Sequence, residues 1–390
     1  MSIVYYLGIV ILAGIFVAKL LRKLRFPNVT GYLIAGILIG HNVFNLVPRN
    51  IVADLNIVSE VALGFIAFSI GSSFRISDLR RQGKSTIVIA LLEALMAMLL
   101  VLLVLIFVLK EDLPFALMLS AIACATAPAA TLMVIRQYNA RGPLVNTLLP
   151  VVALDDVVSI VAFGICASIS KSLVSGASAD FKAMFLVPVW EISIAVLIGF
   201  VLGFCLAFFL KRTKTEGSYL NLIIAFIFVG IGLALYLKVS SLLLCMALGA
   251  IIANVVPNPS RAFSIVDPLT TPIFLIFFTI SGAALDLGAL ANVGLIGVSY
   301  LVVRAIGKWL GAYISCKMFK MPPLVTKYLG IALVPQAGVA LGLSLAAANL
   351  IGGEHGMQVR TVILATTVIY ELVGPLAAKF ALKKAGEIEE

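Results

Sequence analysis

The sequence predicts an all-α polytopic membrane protein of about 13 transmembrane helices, with inverted-topology repeats and two broken helices. Three observations lead there. First, 62% of the 390 residues are hydrophobic and only 12% charged, whereas a soluble domain carries roughly 25% charged residues. So little charge cannot coat a soluble globule of this length, which excludes a soluble enzyme. Second, apolar runs of bilayer-spanning length, about 20 residues, recur along the whole chain. Third, two of these runs are interrupted by proline at positions seven spans apart.

Hydropathy places the spans near 3–21, 29–46, 53–73, 85–109, 114–136, 144–171 and 184–210, then 219–237, 239–256, 264–284, 290–316, 324–349 and 357–383. The first lacks a basic leader and a small-residue cleavage site, so it reads as a retained span. Lysine and arginine divide unevenly between alternate loops. One set holds 20 of them, including Arg22, Lys23, Arg25, Arg75, Arg80, Arg81, Lys211, Arg212, Lys214, Lys317, Lys320 and Lys384. The other holds six: Arg49, Lys110, Lys171, Lys182, Lys238 and Arg360. The basic set is expected in the cytoplasm, which puts the N-terminus outside and the C-terminus inside a cell (inner) membrane. The net charge of +10 then needs no nucleic-acid partner; anionic membrane lipid accounts for it. The expected organisation is a single transmembrane unit over 1–383, with a cytoplasmic tail at 384–390. No Gly-rich nucleotide fingerprint occurs, and no cofactor is expected.

The fifth span reads SAIACATAPAATLMVI, broken at Pro128, and the twelfth LGIALVPQAGVALGLSLAA, broken at Pro335-Gln336-Ala337-Gly338. Proline removes a backbone donor and clashes with the preceding turn. Seven spans apart, the two run in opposite directions. Matching them aligns 1–171 with 219–383 as inverted repeats, with a linker helix at 184–210. Discontinuous helices in such repeats place half-helix ends and freed carbonyls near the midplane, where they hold ions.

Charges inside spans are costly, roughly 2.5–3.5 kcal/mol each on insertion scales. The sixth span holds Asp155 and Asp156, and the eleventh holds Arg304 and Lys308 one turn apart. Adjacent residues point about 100° apart on a helix. One aspartate can therefore take a base while its neighbour faces an ion path. Lys308 lies too deep to snorkel easily, and Arg304 deeper. Glu60, Glu93, Glu191 and Glu371 stand alone in their spans and read as interhelical hydrogen bonders. Glu371 is a secondary candidate because its span matches the aspartate helix. His41 and His355 read as surface-loop residues. Cys124, Cys166, Cys205, Cys245 and Cys316 read as small buried hydrophobes, with no disulfide or metal-cluster spacing.

With these residues in hand, the chain resembles the monovalent cation:proton antiporter superfamily, in its second, bacterial sodium/proton branch. The resemblance runs through RFPNVTGYLIAGILIG, SEVALGFIAFSIGSSFRISDLRR, ATAPAAT, ALDDVV, TPIFLIFFTISGAALDLGAL, GKWLG and PQAGVALGL, in that order. It implies thirteen helices, a dimerisation domain, and a mobile core domain in which the broken helices cross. It implies Asp156 as the carboxylate that binds Na⁺ and proton in turn, and Asp155 as the neighbour that pairs with a base. Lys308 fits the K-x-x-G pattern, and Thr126 sits where the fifth-span break offers oxygen ligands. Arg304 lies outside that pattern, so Asp155 could pair with Lys308, Arg304 or both. The Asp at 155, where electroneutral members more often have Asn, favours electrogenic Na⁺/H⁺ (or Li⁺) exchange, and the resemblance also implies a homodimer. A K⁺/H⁺ antiporter, electroneutral or not, is the alternative, and a passive cation channel the alternative of another class. An aspartyl protease would need two carboxylates facing each other, which neighbours on one helix do not do.

Overall fold

The computed structural model describes residues 3–24, 26–41, 43–76, 84–175, 181–213, 215–285 and 294–388. Arg25, Arg80, Arg81 and Lys214, used above to orient the loops, lie outside them, as do Asp286 and the last two residues of the tail. The described residues form helices joined by turns and short irregular stretches, with no strand among them.

The helices are α1 (Ile3–Arg22), α2 (Asn28–Ile39), α3 (Arg49–Asp54), α4 (Asn56–Gly71) and α5 (Ser85–Leu103). After them come α6 (Leu113–Ile122), α7 (Pro128–Gln137), α8 (Pro143–Ser175), α9 (Phe181–Arg212), α10 (Glu216–Leu237) and α11 (Ser241–Val255). The last five are α12 (Pro259–Ala284), α13 (Gly294–Met318), α14 (Pro323–Ala332), α15 (Gly338–Ile351) and α16 (Gly353–Lys384). Nine helical segments among the described residues are long and apolar enough to cross a membrane, and shorter apolar helices occupy 28–39, 113–122, 241–255 and 339–348. This is a multi-pass membrane protein, and a helix stands at each predicted span. The second span is shorter than expected: α2 stops at Ile39, and Gly40 and Asn45 accept the turn, Asn45 with a positive φ of 49°.

The chain forms two compact units, each discontinuous in sequence. One comprises 1–20, 31–83 and 189–284; the other 21–30, 84–188 and 285–390. Each therefore draws on both halves of the predicted repeat.

In the first unit, glycines let backbones touch. A Cβ on Gly36 of α2 would sit 2.0 Å from the Thr279 carbonyl of α12, and one on Gly282 would sit 2.2 Å from the Leu33 carbonyl. Helix α4 meets α11 the same way, through Gly71 and Gly249. Lipid tails are as apolar as leucine, so hydrophobicity alone does not join helices in a membrane; close van der Waals packing through small residues does.

In the second unit the same device joins α5 to α13. A Cβ on Gly307 would lie 2.6 Å from Ala97 Cα, and one on Gly311 would lie 2.6 Å from Glu93 Cα. These glycines flank Lys308. An apolar cluster around Phe115, Met118, Ile122, Phe163 and Ile363 packs α6, α8, α15 and α16 together. A second, around Ile89, Val134, Leu148, Val152, Leu329 and Leu382, packs α5, α7, α8, α14 and α16.

Candidate ion site at the crossed helix breaks

The two interruptions are unwound stretches rather than kinks. Residues 123–127 separate α6 from α7, and residues 333–337 separate α14 from α15. Pro128 lies just past its break, at the first position of α7, where a missing N–H costs nothing. Pro335 lies within the other break, and Gly338 begins α15. The breaks meet: the Ala127 N–H donates to the Pro335 carbonyl at 2.9 Å.

Unwinding leaves carbonyls without helical donors, and in a membrane each needs a partner. Buried polar side chains supply them. Arg304 Nε donates to Ala123 O at 3.0 Å, its Nη2 to Ala125 O at 2.6 Å and its Nη1 to Val334 O at 2.8 Å. One guanidinium thus fastens both breaks, and it also lies over the Tyr370 ring, 4.5 Å from the centroid. Gln336 Nε2 donates to Ile122 O at 3.0 Å and is bonded to the Tyr300 hydroxyl. Lys308 Nζ donates to Cys124 O at 2.6 Å. The planar fork of arginine suits such a multi-carbonyl bridge in a way a lysine point charge does not.

Lys308 also answers the question left open for Asp155. Its ammonium lies 2.9 Å from Asp155 Oδ2 and 2.9 Å from Glu93 Oε2, with all three side chains fully buried. The Thr126 hydroxyl donates to the same Asp155 oxygen at 2.6 Å. Arg304, expected as a second charge partner, makes no ion pair among the described residues; its donors are spent on the break carbonyls. That corrects the expectation for Arg304. Glu93 is corrected as well, from a lone hydrogen bonder to a member of the lysine's ion pair. Its signal was present in the sequence: a mid-span carboxylate needs a cation, and the only mid-span cations are Arg304 and Lys308.

Asp156 differs from its neighbour. It is buried, and neither of its carboxylate oxygens has a hydrogen-bond partner; Asp155 Oδ1 is likewise unfilled. Three carboxylate oxygens on one turn of α8 thus remain available to a hard monovalent cation or to protons, which is the oxygen chemistry such ions favour. Thr126, expected as an oxygen ligand, here positions Asp155. Glu371 is buried in α16 with Oε2 unpartnered.

The remaining sequence candidates are placed elsewhere. Glu60 accepts from the Ser241 hydroxyl at 3.2 Å, the interhelical bond expected of it. His355 is in the first turn of α16 rather than in a loop, exposed and 3.2 Å from Asp112. Both ring nitrogens of His41 are buried without partners, contrary to an open loop. Four cysteines are buried as expected, and Cys205 is exposed on α9.

Against known proteins, residues 8–384 match the family described as sodium/hydrogen exchanger, transmembrane. The chain belongs to this family. Among curated relatives of the exchanger, the Na⁺/H⁺ antiporter NhaS4 of Synechocystis is 23% identical over 350 residues, covering 84% of each chain. The high-affinity Na⁺/H⁺ antiporter NhaS3 of the same organism is 24% identical over 346 residues, covering 86% of this chain and 74% of that one. Structures of the sodium proton antiporter MjNhaP1 from Methanocaldococcus jannaschii superpose with TM-scores of 0.75 and 0.79, at 18% and 19% identity, over 99% of this chain and 98% of theirs. They share this exchanger's fold.

Proposed function

We propose that this exchanger moves Na⁺ against protons by alternating access around Asp156, in a cell membrane with its N-terminus outside and its C-terminus in the cytoplasm. The observation that carries this reading is the Asp156 carboxylate, buried with both oxygens free of donors. An ionised carboxylate in that position is costly unless a cation or proton neutralises it. Na⁺ and H⁺ therefore compete for one group, and competition at one site that opens to either side is exchange. The unfilled Asp155 Oδ1 supplies a further ligand oxygen. No cofactor enters, and no covalent step.

Lys308 gives the cycle its charge. When Na⁺ draws Asp155 away, the ammonium loses one of its two carboxylates and can release a proton. Two protons then return against one Na⁺, and the membrane potential contributes about 2.3 kcal/mol per 100 mV for the net charge moved. The exposed apolar side chains of α1, among them Leu12, Ile15 and Phe16, suit a homodimer interface within the membrane.

The test is a pH-sensitive dye in vesicles carrying the reconstituted protein, with Na⁺, Li⁺ or K⁺ added separately. Na⁺ dissipates the pH gradient in the parent, and Asp156→Asn abolishes the response while leaving the protein folded. Robust exchange by that variant would overturn the site. A parent that answers K⁺ alone would replace the cation, and flux uncoupled from protons would replace the exchanger with a channel.

A further inference from the structure

The turn joining α13 to α14 holds a cavity of about 680 Å³ that plays no part in the ion site. Its lining combines Trp309, Tyr313 and Lys317 of α13, Lys320 of the turn, and Thr326 and Lys327 of α14. The rings of Trp309 and Tyr313, one helical turn apart, stack with centroids 5.4 Å apart and planes at 24°. The Trp309 indole donates to the Lys327 carbonyl at 3.3 Å, which ties this aromatic wall to α14. Lys317 Nζ stands 5.9 Å from the Tyr313 centroid. All three lysines are exposed, and none is ion-paired among the described residues. The sequence offers them nothing locally, because no Asp or Glu occurs between Asp286 and Glu354.

The position selects the ligand class. The cavity lies at the C-terminal end of a membrane-crossing helix, one residue beyond the buried Lys308 at its deep edge. Apolar Ile314 and Leu324 are exposed beside it, as side chains facing acyl chains are. An aromatic wall with a lysine rim is the arrangement that suits an amphiphile at the membrane–water boundary. Tyr313, one turn nearer the helix end, can meet the glycerol, Trp309, beside the deep Lys308, can meet the upper acyl chains, and flexible ammonium groups reach a phosphate. The first turn of α14, which contributes Pro323 and Thr326 to the lining, adds the positive end of a helix dipole. We propose that this cavity binds an anionic phospholipid, its phosphate held by Lys317, Lys320 and Lys327, its glycerol against Tyr313 and its upper acyl chains against Trp309.

The chain has two tryptophans, Trp190 and Trp309, so Trp190→Phe leaves a single reporter inside the cavity. The full chain with that change is reconstituted in phosphatidylcholine vesicles holding a minor fraction of phosphatidylglycerol. Bromine is placed on the acyl chains of one lipid or the other. Quenching of Trp309 by the brominated phosphatidylglycerol should exceed its mole fraction by about fivefold, the attraction of roughly one basic residue near a membrane surface. Changing all three lysines to glutamine should return quenching to the mole fraction, and changing them to arginine should retain the excess. Quenching at the mole fraction in the parent overturns the proposal, and so does an excess that survives the glutamine changes. An excess erased by millimolar inorganic phosphate would mark a free-phosphate site and overturn it equally. Should the glutamine variant not fold, the parent and the arginine variant still decide.

Discussion

The two units bury very different things. Among the described residues, the six buried charged ones, Glu93, Asp155, Asp156, Arg304, Lys308 and Glu371, all belong to the unit formed by 21–30, 84–188 and 285–390. Among the described residues of the other unit the buried polar side chains are hydroxyls, Ser69, Thr270 and Thr279, with the two ring nitrogens of His41 also out of solvent, and helices are joined through glycine contacts. The contrast follows from what each backbone does. Helices α2, α4, α11 and α12 run unbroken where they meet, so their carbonyls are satisfied internally and only shape has to fit. In the second unit two helices are unwound, and the carbonyls they free call for donors. Once Arg304 and Lys308 have been brought in to supply them, carboxylates can be buried beside the lysine. On this view the ion site grows out of the repair of two broken helices.

The largest test of that contrast is Lys308→Met. It leaves Asp155, Glu93 and the Cys124 carbonyl without their cation. Removing one partner of a buried ion pair costs about 3–5 kcal/mol, so thermal unfolding of the purified protein should show a loss of that order, partly recovered by adding Glu93→Gln. Stability equal to the parent would break the comparison, since the buried charges would then not hold this unit together.

A smaller loss is expected from Gly36→Val in the other unit. The new side chain meets the Thr279 backbone carbonyl, and overpacking of this kind costs about 1–3 kcal/mol. The ion-site geometry is untouched, so any exchange measured per folded protein should remain. A variant as stable as the parent would show that the α2–α12 contact is not tight.

The smallest effect sharpens the comparison within the charged unit. Glu387, in the tail, accepts from the backbone N–H groups of Leu144 and Val145 and so caps the first turn of α8, the helix that bears both aspartates. Its backbone carbonyl also accepts from Arg141 N–H at 3.2 Å. A carboxylate at a helix N-terminus contributes roughly 0.5–1 kcal/mol. Glu387→Gln should speed amide hydrogen exchange in the first turn of α8 by a few fold and leave the rest of the helix unchanged.

Much of the fold was legible in advance because a bilayer imposes length and apolarity, and both are written in composition. The helix breaks were legible through the motifs around them, ATAPAAT and PQAGVALGL, taken as a pair seven spans apart, rather than through proline alone, since Pro150, Pro268, Pro272 and Pro375 lie inside continuous helices. The aspartate pair and Lys308 stood out because a charge inside a span is expensive. Glu93 was harder to read. A lone carboxylate in α5 says that a partner exists without saying which, and its partner lies more than two hundred residues away in sequence. The linkage became readable only through Gly307 and Gly311, which let α13 approach α5 until the ammonium reaches the carboxylate.

By itself, the sequence determined that the chain crosses a membrane many times, that two helices are interrupted, and that a few charges are buried with a purpose. It did so because hydration free energy and backbone donors are local properties of residues. Only the tertiary structure decided which charge meets which. Lys308 binds Asp155 and Glu93, Arg304 is committed to carbonyls of both breaks, and Asp156 is left free. Adjacent aspartates are chemically identical in sequence. What separates them is the helical rotation of about 100° per residue, which turns one toward the lysine and the other away from every donor.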